Sequence, residues 1–480
     1  MDEQTNEVTQ TPARRERRKR TKFQIFKEAY LPALIVLIAV VLVITFIVGS
    51  VSRVNAAKKA AEEASLAAAE SLQNLAAQQQ AEAQDLIARA EVLAAGLDYQ
   101  AAIDLLDTFS GESEGFPNLV AKRAEYVQAM NDLVVYSDPN SVPNLSFQML
   151  IADPARAFSD EEYGEAYNRN YVTTDEFSKI LQQLYDNGYM LVGLHDLVTT
   201  TVNEEGKTVY IPANLYMPSG KKPIVLTQTA ANYYTYMTDG DGDGLPDASG
   251  DGFPYRLNVD GNGKFVSEMI DADGNTVVGN YDFVTILEDF IARNPDFSYQ
   301  GARAVLAVTG YDGIFGYRTD PDTEDAQGGE YYTEQVSGAQ KIVKALQSAG
   351  YELASYTYEN VSYGEIDFSV FETDLNDWNE EVAPLLGNAD ILVYPNGDDL
   401  EYGFDDPYEG DRYNLLYESG FRFFIGMDYD VPSQAQVAED YVRQVRKLVT
   451  GSWMAYNAEV FDGLFDAASV LSADRGNVPE

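Results

Sequence analysis

The chain has 480 residues, 45% of them apolar, with 33 basic and 77 acidic side chains, one histidine and no cysteine. This length exceeds one ordinary domain, and the apolar fraction is enough for a large core. Without cysteine, disulfides and thiolate metal sites are excluded, and the single imidazole of His195 excludes any site that needs two. A net charge of −44 disfavours nucleic acid and anionic polymers as partners.

A basic cluster followed by a long apolar run predicts a membrane anchor. Eight Lys and Arg side chains occur between Arg14 and Lys27, and residues 31–51 read LPALIVLIAVVLVITFIVGSV. About 20 helical residues cross the ~30 Å bilayer core, and this run is too long for the apolar part of a cleaved signal. We expect a signal anchor over 31–51 and a basic cytoplasmic tail over 1–30, with the rest of the chain extracytoplasmic. A cleaved signal peptide is the alternative.

The segment expected outside the membrane is strongly acidic. Residues 1–53 hold nine of the 33 basic and five of the 77 acidic side chains, which leaves 24 basic and 72 acidic ones and a net charge near −48. Such a surface suits neutral or cationic glycans and divalent cations. An exported chain without cysteine is consistent with a bacterium that does not rely on exported disulfides.

An all-helical segment is predicted over 52–135. Residues 54–92 are rich in Ala, Glu and Gln and contain neither proline nor glycine, which favours one long helix. The stretch that follows, helix, Gly-Leu-Asp-Tyr turn and two more helices, resembles one tetratricopeptide-type hairpin. Such arrays normally need at least about three units, so we interpret 52–135 as a stalk and a small adaptor. A solvated helix without a partner is the alternative for the stalk. Residues 136–142 read as a turn-rich linker.

Short apolar strands alternate with amphipathic helices over residues 143–470. One helix begins with a capping box of Thr173 and Glu176 and ends at Asn187-Gly188. The alternation predicts an α/β fold with a parallel sheet, closed as an irregular (β/α)7-type barrel whose chemistry lies in the loops at the C-terminal strand ends. The last helix is expected near AEDYVRQVRKLVTG. The predicted strands are NLSFQMLIAD, YMLVGL, KPIVLTQT, ARAVLAVTG, YELASYT, DILVYPNG and FRFFIGMD.

Three loops of this barrel resemble the motifs of the NodB-type polysaccharide deacetylases, which remove acetyl groups from glycans. KKPIVLTQTAANYY resembles the first motif, AGYELASYTYENVS the second and ILVYPNGDD the third. The resemblance covers about two-thirds of the chain. It implies a zinc-type ion held by one Asp and two His, with a second Asp as general base.

The residues at these positions are not those of the family. The base Asp falls on Thr229, the ligand Asp on Ala230, the first His on Tyr356 and the second His on Asn360. Neutral Thr, Ala, Tyr and Asn side chains do not assemble a tight zinc site. The resemblance therefore implies a deacetylase-like barrel in which the catalytic residues have been replaced.

Three interpretations follow from the replacements. The first is a membrane-anchored cell-wall protein that lacks deacetylase catalysis and binds glycan or a wall-associated protein. The second is an active chitin- or peptidoglycan-type deacetylase with a divergent metal site, built from carboxylates such as Asp312, Asp398 or Asp399. The third is a structural scaffold. Two further family histidines map near Gln148 and Asn457, and His195 is expected to be structural.

An acidic, glycine-rich loop supplies an independent signal. Asp239, Asp241, Asp243 and Asp247 follow the pattern D-x-D-x-D-G-x-x-D, which resembles thrombospondin type 3 and EF-hand-like calcium loops. It lacks a bidentate Glu at loop position twelve. A structural Ca²⁺ is expected here, and a solvated acidic turn is the alternative. The loop opens an insertion, 237–280, that continues as β-hairpins with Asp-Gly and Asn-Gly turns.

Tyrosine is abundant, with 33 residues, and several flank the expected mouth of the barrel. Tyrosine rings stack on sugars and offer a hydroxyl, although most aromatic side chains belong to the core. The candidate glycan-binding residues are Tyr233, Tyr234, Tyr358 and Tyr394.

Overall fold

The computed structural model describes residues 22–387, 389–401, 403–404 and 406–480, and the chain divides into two compact units between residues 82 and 83. Most of the basic tail predicted over 1–30 lies outside the described residues. The first unit consists mainly of the part of the long helix Leu31–Ala95 that precedes residue 83. The most apolar 18-residue window of this helix has a mean hydropathy of 3.2 and no buried residues. This helix is long and apolar enough to cross a membrane, as expected for an anchor or a signal sequence.

The second unit begins with a small helical hairpin. The end of the long helix and the helices Tyr99–Asp107 and Pro117–Asn131 enclose a core that includes Ala90 and Leu106. The carboxylate of Asp98 accepts a hydrogen bond from the Ala101 amide at 3.1 Å and caps the second helix.

Seven parallel strands form the closed barrel that the sequence predicted. They pair in chain order, and the last strand pairs with the first, so that the sheet has no free edge around the barrel. The strands are β1 (Asn144–Phe147), β2 (Lys222–Gln228), β3 (Val305–Val308), β4 (Glu352–Ser355), β5 (Ile391–Val393), β6 (Phe423–Met427) and β7 (Val442–Leu448).

Alternation along the strands separates two apolar layers. Alternate residues, such as Val225 and Ile391, belong to one cluster inside the barrel, and their neighbours, such as Leu226 and Leu392, pack outward against the helices. The helical hairpin docks at the N-terminal end, where Leu97 is buried in the inner cluster and the Gln300 amide donates to the Gly96 carbonyl at 2.7 Å. The opposite, C-terminal end of the barrel stays open.

Helices surround the barrel. The capping box predicted at Thr173 and Glu176 is confirmed, and Gly188, with φ of +80°, follows the end of that helix. The helices from the barrel region are Pro154–Ser159, Gly164–Asn170, Thr174–Asp186, Phe283–Arg293, Asp322–Gln327, Gly329–Ala349, Phe368–Asp377, Ala383–Leu386, Gly410–Glu418, Gly451–Tyr456 and Ala467–Val470.

Short antiparallel sheets are present in addition to the barrel. The hairpins expected in the insertion, 237–280, form one of them, a three-stranded sheet. Two further strands extend the barrel sheet: Tyr189–Leu191 pairs with the start of β2 in parallel, and Ala435–Val437 pairs with β7 antiparallel. The remaining strands are Val134–Tyr136 with Leu215–Met217, Val198–Val202 with Thr208–Pro212, and Arg256–Val259 with Phe265–Ile270 and Thr276–Gly279.

The prediction of a helix near AEDYVRQVRKLVTG is wrong, because this segment contains β7. The structure buries the three cationic side chains of this strand, Arg443, Arg446 and Lys447. Arg443 makes an ion pair with Asp399 at 2.8 Å outside the barrel wall, and Arg446 lies inside the barrel. These cations interrupt the apolar pattern of the strand, and their contacts come from other parts of the barrel. The segment was therefore not recognised as a strand.

Candidate functional site at the barrel mouth

A pocket of about 370 Å³ lies at the open, C-terminal end of the barrel. Loops that follow five consecutive barrel strands contribute to it, which is where barrels of this kind place their functional residues. Three groups of side chains line the pocket: phenols, amides and a few small or acidic residues. They are Tyr171, Tyr234, Tyr236, Tyr311 and Tyr356; Gln148, Asn360 and Asn396; and Thr229, Ala230 and Glu359.

The structure brings together all four positions to which the deacetylase resemblance assigned the metal ligands and the base. Thr229, Ala230, Tyr356 and Asn360 line the same pocket, and Gln148 lies beside them. Asn457, to which a further family histidine was assigned, instead ends the helix Gly451–Tyr456 and does not line the pocket.

These four side chains do not fit a zinc-type ion. Ala230 offers no ligand atom, and the Thr229 hydroxyl donates to the Phe147 carbonyl at 3.3 Å. The phenol of Tyr356 and the amide of Asn360 are poor zinc ligands beside imidazole and carboxylate. No step that depends on a bound metal can be derived from this set.

The lining of the pocket is mostly uncharged. Burial raises the pKa of Tyr234 and of Tyr236, so both phenols are neutral at ordinary pH. The one carboxyl group in the lining, that of Glu359, is exposed at the rim. Burial, and then the neighbouring carboxylates beginning with Asp374, raise its pKa.

Several tyrosine rings form a continuous aromatic surface along one side of the pocket. Tyr234 stacks on Tyr236 with ring centroids 5.7 Å apart and planes 19° from parallel, and Tyr311 lies 5.8 Å from Tyr234. Tyr163 extends the row outward at 5.8 Å from Tyr236. Rings in this arrangement present both a face for stacking and a hydroxyl for hydrogen bonding.

Backbone strain is concentrated in the same loops. Most non-glycine residues with positive φ in the described chain follow barrel strands at the mouth, and Thr357, at +59°, is β-branched and therefore an outlier. Strained backbone clusters at functional sites when the surroundings hold it in place. The residues at the mouth are Ala230, Tyr233, Asp312, Phe315, Thr357, Asn360 and Asn396.

Buried polar side chains hold these loops. Asn232 accepts from the Thr309 amide at 3.1 Å and donates to the Thr309 carbonyl at 2.9 Å, which ties the loop after β2 to the loop after β3. Asp374 accepts from the amides of Tyr358 and Glu359 at 2.9 and 2.8 Å and from the Tyr363 hydroxyl at 2.6 Å. The strained conformations are therefore fixed by specific contacts.

The carboxylates considered for a divergent metal site do not converge on the pocket. Asp312 accepts from the Thr235 hydroxyl at 2.9 Å and pairs with Arg318 at 3.4 Å. Asp399 pairs with Arg443, and Asp398 accepts from the Ser362 hydroxyl. None of the three lines the pocket, and each already has a structural partner.

Of the four tyrosines predicted to bind glycan, Tyr234 alone lines the pocket. The positive φ of Tyr233 turns its side chain into the core, where its hydroxyl donates to Asp282 at 2.6 Å. Tyr394 is fully buried against Phe424, and the hydroxyl of Tyr358 is bound to Glu381.

The acidic loop brings three of its four predicted calcium ligands together. Asp239, Asp241 and Asp247 each have a carboxylate oxygen within 4.8 Å of the others, a spacing that fits a hard cation with oxygen ligands. Asp243 is outside this group, and its carboxylate accepts from the Leu245 amide at 2.9 Å. The loop is fastened to the barrel by amide hydrogen bonds from Ala152 and Asp153 to the Gly252 carbonyl at 3.1 and 2.9 Å.

His195 lies far from the mouth, at the N-terminal end of the strands. Its Nδ1 is 2.7 Å from a Glu352 oxygen and its Nε2 is 3.0 Å from an Asp390 oxygen. Burial lowers the pKa of His195, but the hydrogen bonds to Asp390 and Glu352 outweigh burial and raise it to about 10. The histidine is therefore a charged structural group.

Sequence reasoning missed Tyr171, Tyr311, Glu359 and Asn396 in the pocket and Arg446 beneath it. Tyr311 directly follows a predicted strand and Asn396 lies near the end of another, positions that could have identified them. Tyr171 comes from the segment before a helix, and no pattern in its surroundings points to the mouth.

No protein-family model and no curated protein matches this sequence. Among solved structures, the chain is similar to a Streptococcus pyogenes deacetylase, PplD, in complex with acetate, with 11% sequence identity and a TM-score of 0.34. The similarity covers 71% of this chain and 99% of that chain. A likeness at this level carries nothing about activity, and the barrel itself is established by its strand pairing.

Proposed function

We propose that this protein is a membrane-anchored, extracytoplasmic glycan-binding protein with a deacetylase-like barrel that lacks metal-dependent deacetylation. The observation that carries the proposal is the pocket at the mouth, which gathers the four replaced positions among neutral phenols and amides. Its volume of about 370 Å³ is in the usual range for small-ligand sites, roughly 300–1,000 Å³.

The chemistry of the lining favours a sugar over a protein partner. Aromatic faces stack on the apolar faces of sugar rings, and amide side chains pair with ring hydroxyls. Tyr236 and Tyr311 are 42% and 50% exposed, so their rings are accessible to such a ligand. The long apolar helix Leu31–Ala95 supports anchoring in the membrane. The glycan expected beside such a membrane is that of the cell wall.

The acidic loop has a structural role in this proposal. It follows directly on Tyr236, and Asp251, at its end, accepts a hydrogen bond from the Tyr167 hydroxyl at 2.6 Å. A Ca²⁺ held by Asp239, Asp241 and Asp247 would brace the segment that carries Tyr236. The metal would then stabilise the aromatic side of the pocket without taking part in chemistry.

The test is a binding titration of the full-length protein in detergent with N-acetylated chitin- and peptidoglycan-type oligosaccharides. Replacing Tyr311 by Ala should weaken binding about tenfold, or roughly 1.4 kcal/mol, because a stacking face is lost. Tyr216→Ala is the matched control, since Tyr216 is 49% exposed and lies in the strand Leu215–Met217, away from the mouth.

Two results would overturn the proposal. The first is a lack of binding to any of these oligosaccharides, or binding that Tyr216→Ala weakens as much as Tyr311→Ala does. The second is release of acetate at enzyme-like rates, on the order of 1 s⁻¹ or faster, which would favour the active deacetylase.

A further inference from the structure

Arg446 is a buried cation inside the barrel, beneath the pocket. Side chains of β7 alternate, and Val442 and Gln444, on the same face as Arg446, contact the barrel interior. Arg446 is 1% exposed. Burial lowers its pKa, and the nearby phenols of Tyr356 and Tyr429 oppose that change, but an arginine side chain stays charged in proteins.

The guanidinium has no acidic partner among the described residues. Its Nη1 donates to the carbonyls of Ile425 and Gly426 at 3.3 and 3.1 Å, and its Nη2 donates to the Tyr394 carbonyl at 3.1 Å. Its Nε has no hydrogen-bond partner. All three acceptors are neutral, so the positive charge itself is not balanced by these contacts.

The other buried arginines among the described residues, Arg443 and Arg475, each pair with a carboxylate. Arg475 is fully buried with Glu176 at 2.6 Å, and Arg443 is buried with Asp399 at 2.8 Å. A buried charge without a counter-charge is strongly unfavourable, and proteins usually pair it or place it where a ligand pairs it. The contrast with Arg475 and Arg443 indicates that Arg446 serves something other than the stability of the fold.

The pocket is the place where a counter-charge could approach. The three carbonyls that hold Arg446 lie at the C-terminal ends of β5 and β6, and Asn396, two residues after Tyr394, lines the pocket. Tyr356, the phenol beside the guanidinium, also lines it. Tyr356 therefore contacts both the surroundings of the charge and the pocket, in a buried region where electrostatic interactions are only weakly screened.

We propose that the pocket selects a sugar that carries a carboxylate, with the ring on the tyrosine surface and the carboxylate at the floor above Arg446. This inference rests on the proposed glycan binding and specifies its substrate class. It departs from the preference for neutral or cationic glycans that the net charge suggested. The net charge of the protein acts mainly through its exposed groups. At physiological ionic strength, salt screens the field of these groups over a distance of about 8 Å. The exposed Glu359 disfavours an anion at the rim, so the carboxylate must reach the floor.

Calorimetry on the full-length protein in detergent compares matched oligosaccharides: a uronic-acid oligomer, its carboxyl-reduced neutral equivalent, an amino-sugar oligomer and an oligomer bearing a lactyl-ether carboxylate. We expect the wild-type protein to bind at least one carboxylate-bearing oligomer about tenfold or more tighter than the neutral one. The two acidic probes distinguish a ring carboxylate from a lactyl one.

A variant then tests Arg446 directly. Arg446→Met should reduce the ratio of acidic to neutral affinity from about tenfold to about one. A merely structural arginine would alter both affinities together.

The outcomes separate this inference from the glycan proposal. Equal or tighter binding of the neutral or amino-sugar oligomer by the wild-type protein overturns the carboxylate selection and leaves glycan binding intact. Survival of the preference for the acidic oligomer in Arg446→Met likewise overturns the carboxylate selection and leaves glycan binding intact. Absence of binding to every oligomer overturns both. Since the wild-type comparison needs no variant, a folding defect in Arg446→Met does not prevent the test.

Discussion

At the N-terminal end of the barrel, His195 lies between Glu352 and Asp390, whereas near the C-terminal end Arg446 has no carboxylate in contact among the described residues. Both ring nitrogens of the histidine are bound by these neighbouring carboxylates. Around the pocket, phenols and amides line an open cavity, and Arg446 is the cation beneath its floor.

The difference separates residues that stabilise the barrel from residues that are available to a ligand. In barrels, the N-terminal face is the side of stability and the C-terminal face the side of function. Here the distinction persists although the residues expected for zinc chemistry are absent. Strained loops and accessible aromatic rings lie at the mouth, which supports the binding site proposed there.

The largest expected effect comes from restoring the residues of the deacetylase family at the mouth. We predict that Thr229→Asp, Ala230→Asp, Tyr356→His and Asn360→His together create zinc binding about 10³-fold or more tighter than in the wild-type chain, or roughly 4 kcal/mol. The backbone at Ala230 and Asn360 already has positive φ, which Asp and His tolerate better than most residues.

Calorimetric zinc titration of the quadruple variant, with circular dichroism to confirm folding, checks this prediction. A folded variant without added zinc affinity would show that the loops do not present the family's ligand geometry. The contrast between the N-terminal and C-terminal ends of the barrel would then be supported only by the residues that line the pocket.

At the N-terminal end, removing a paired group should destabilise the fold. Glu352 accepts from the amides of Leu194 and His195 at 2.7 and 3.0 Å as well as contacting the imidazole. Glu352→Leu leaves these donors unpaired, and we predict a loss of about 3 kcal/mol in the free energy of unfolding.

Urea denaturation of the full-length protein measures this loss, with Tyr311→Ala at the mouth as the comparison. The exposed tyrosine should change the free energy of unfolding by no more than about 0.5 kcal/mol. Similar losses for both variants would contradict the separation of stability and binding between the two ends.

The pH dependence of stability should report on the same cluster. Because the folded-state pKa of His195 is raised from 6.5 to about 10, its stabilising contribution is complete below about pH 6.5 and is lost as pH rises toward 10. The side chain is 42% exposed, so solvent screening reduces the expected loss to about 1 kcal/mol.

His195 is the sole histidine of the chain, so one imidazole signal in a nuclear magnetic resonance titration gives its pKa without ambiguity. A midpoint near 6.5 would contradict the paired arrangement. In His195→Gln, the loss of stability between pH 6.5 and 10 should be smaller by the same amount.

The smallest expected effect concerns the acidic loop. We predict that Ca²⁺ at a few times its dissociation constant stabilises the protein by about 1 kcal/mol, measured as a shift in thermal unfolding. Asp239→Asn should remove the shift, whereas Asp243→Asn, in the same loop but outside the converging group, should retain most of it. Equal effects of the two substitutions would argue against a defined site.

Several features of the fold could be predicted from the sequence because they depend on local patterns. Six barrel strands follow from apolar runs bounded by turns, and the capping box at Thr173 follows from residue spacing. Strand β7 could not be predicted in this way, since its buried cations contact residues distant in sequence, as Arg443 contacts Asp399.

The candidate site was predictable in its location but not in its lining. The motif positions Thr229 and Tyr356 were assigned to one site, and they do share the pocket. The directions of individual tyrosines depend on backbone conformations, such as the positive φ of Tyr233, that no residue pattern encodes. The pocket residue Tyr171 is remote in sequence from the barrel motifs, so only the assembled structure could reveal it.

We propose that the pocket binds its ligand without a catalytic metal. Zinc calorimetry on the full-length wild-type protein, stripped of divalent ions and then saturated with Ca²⁺ to fill the acidic loop, tests it most directly. We expect no zinc binding tighter than roughly millimolar. A stoichiometric, tight zinc site that Asn360→Ala or Tyr356→Phe abolishes would contradict it and restore metal-dependent deacetylation as the function to pursue.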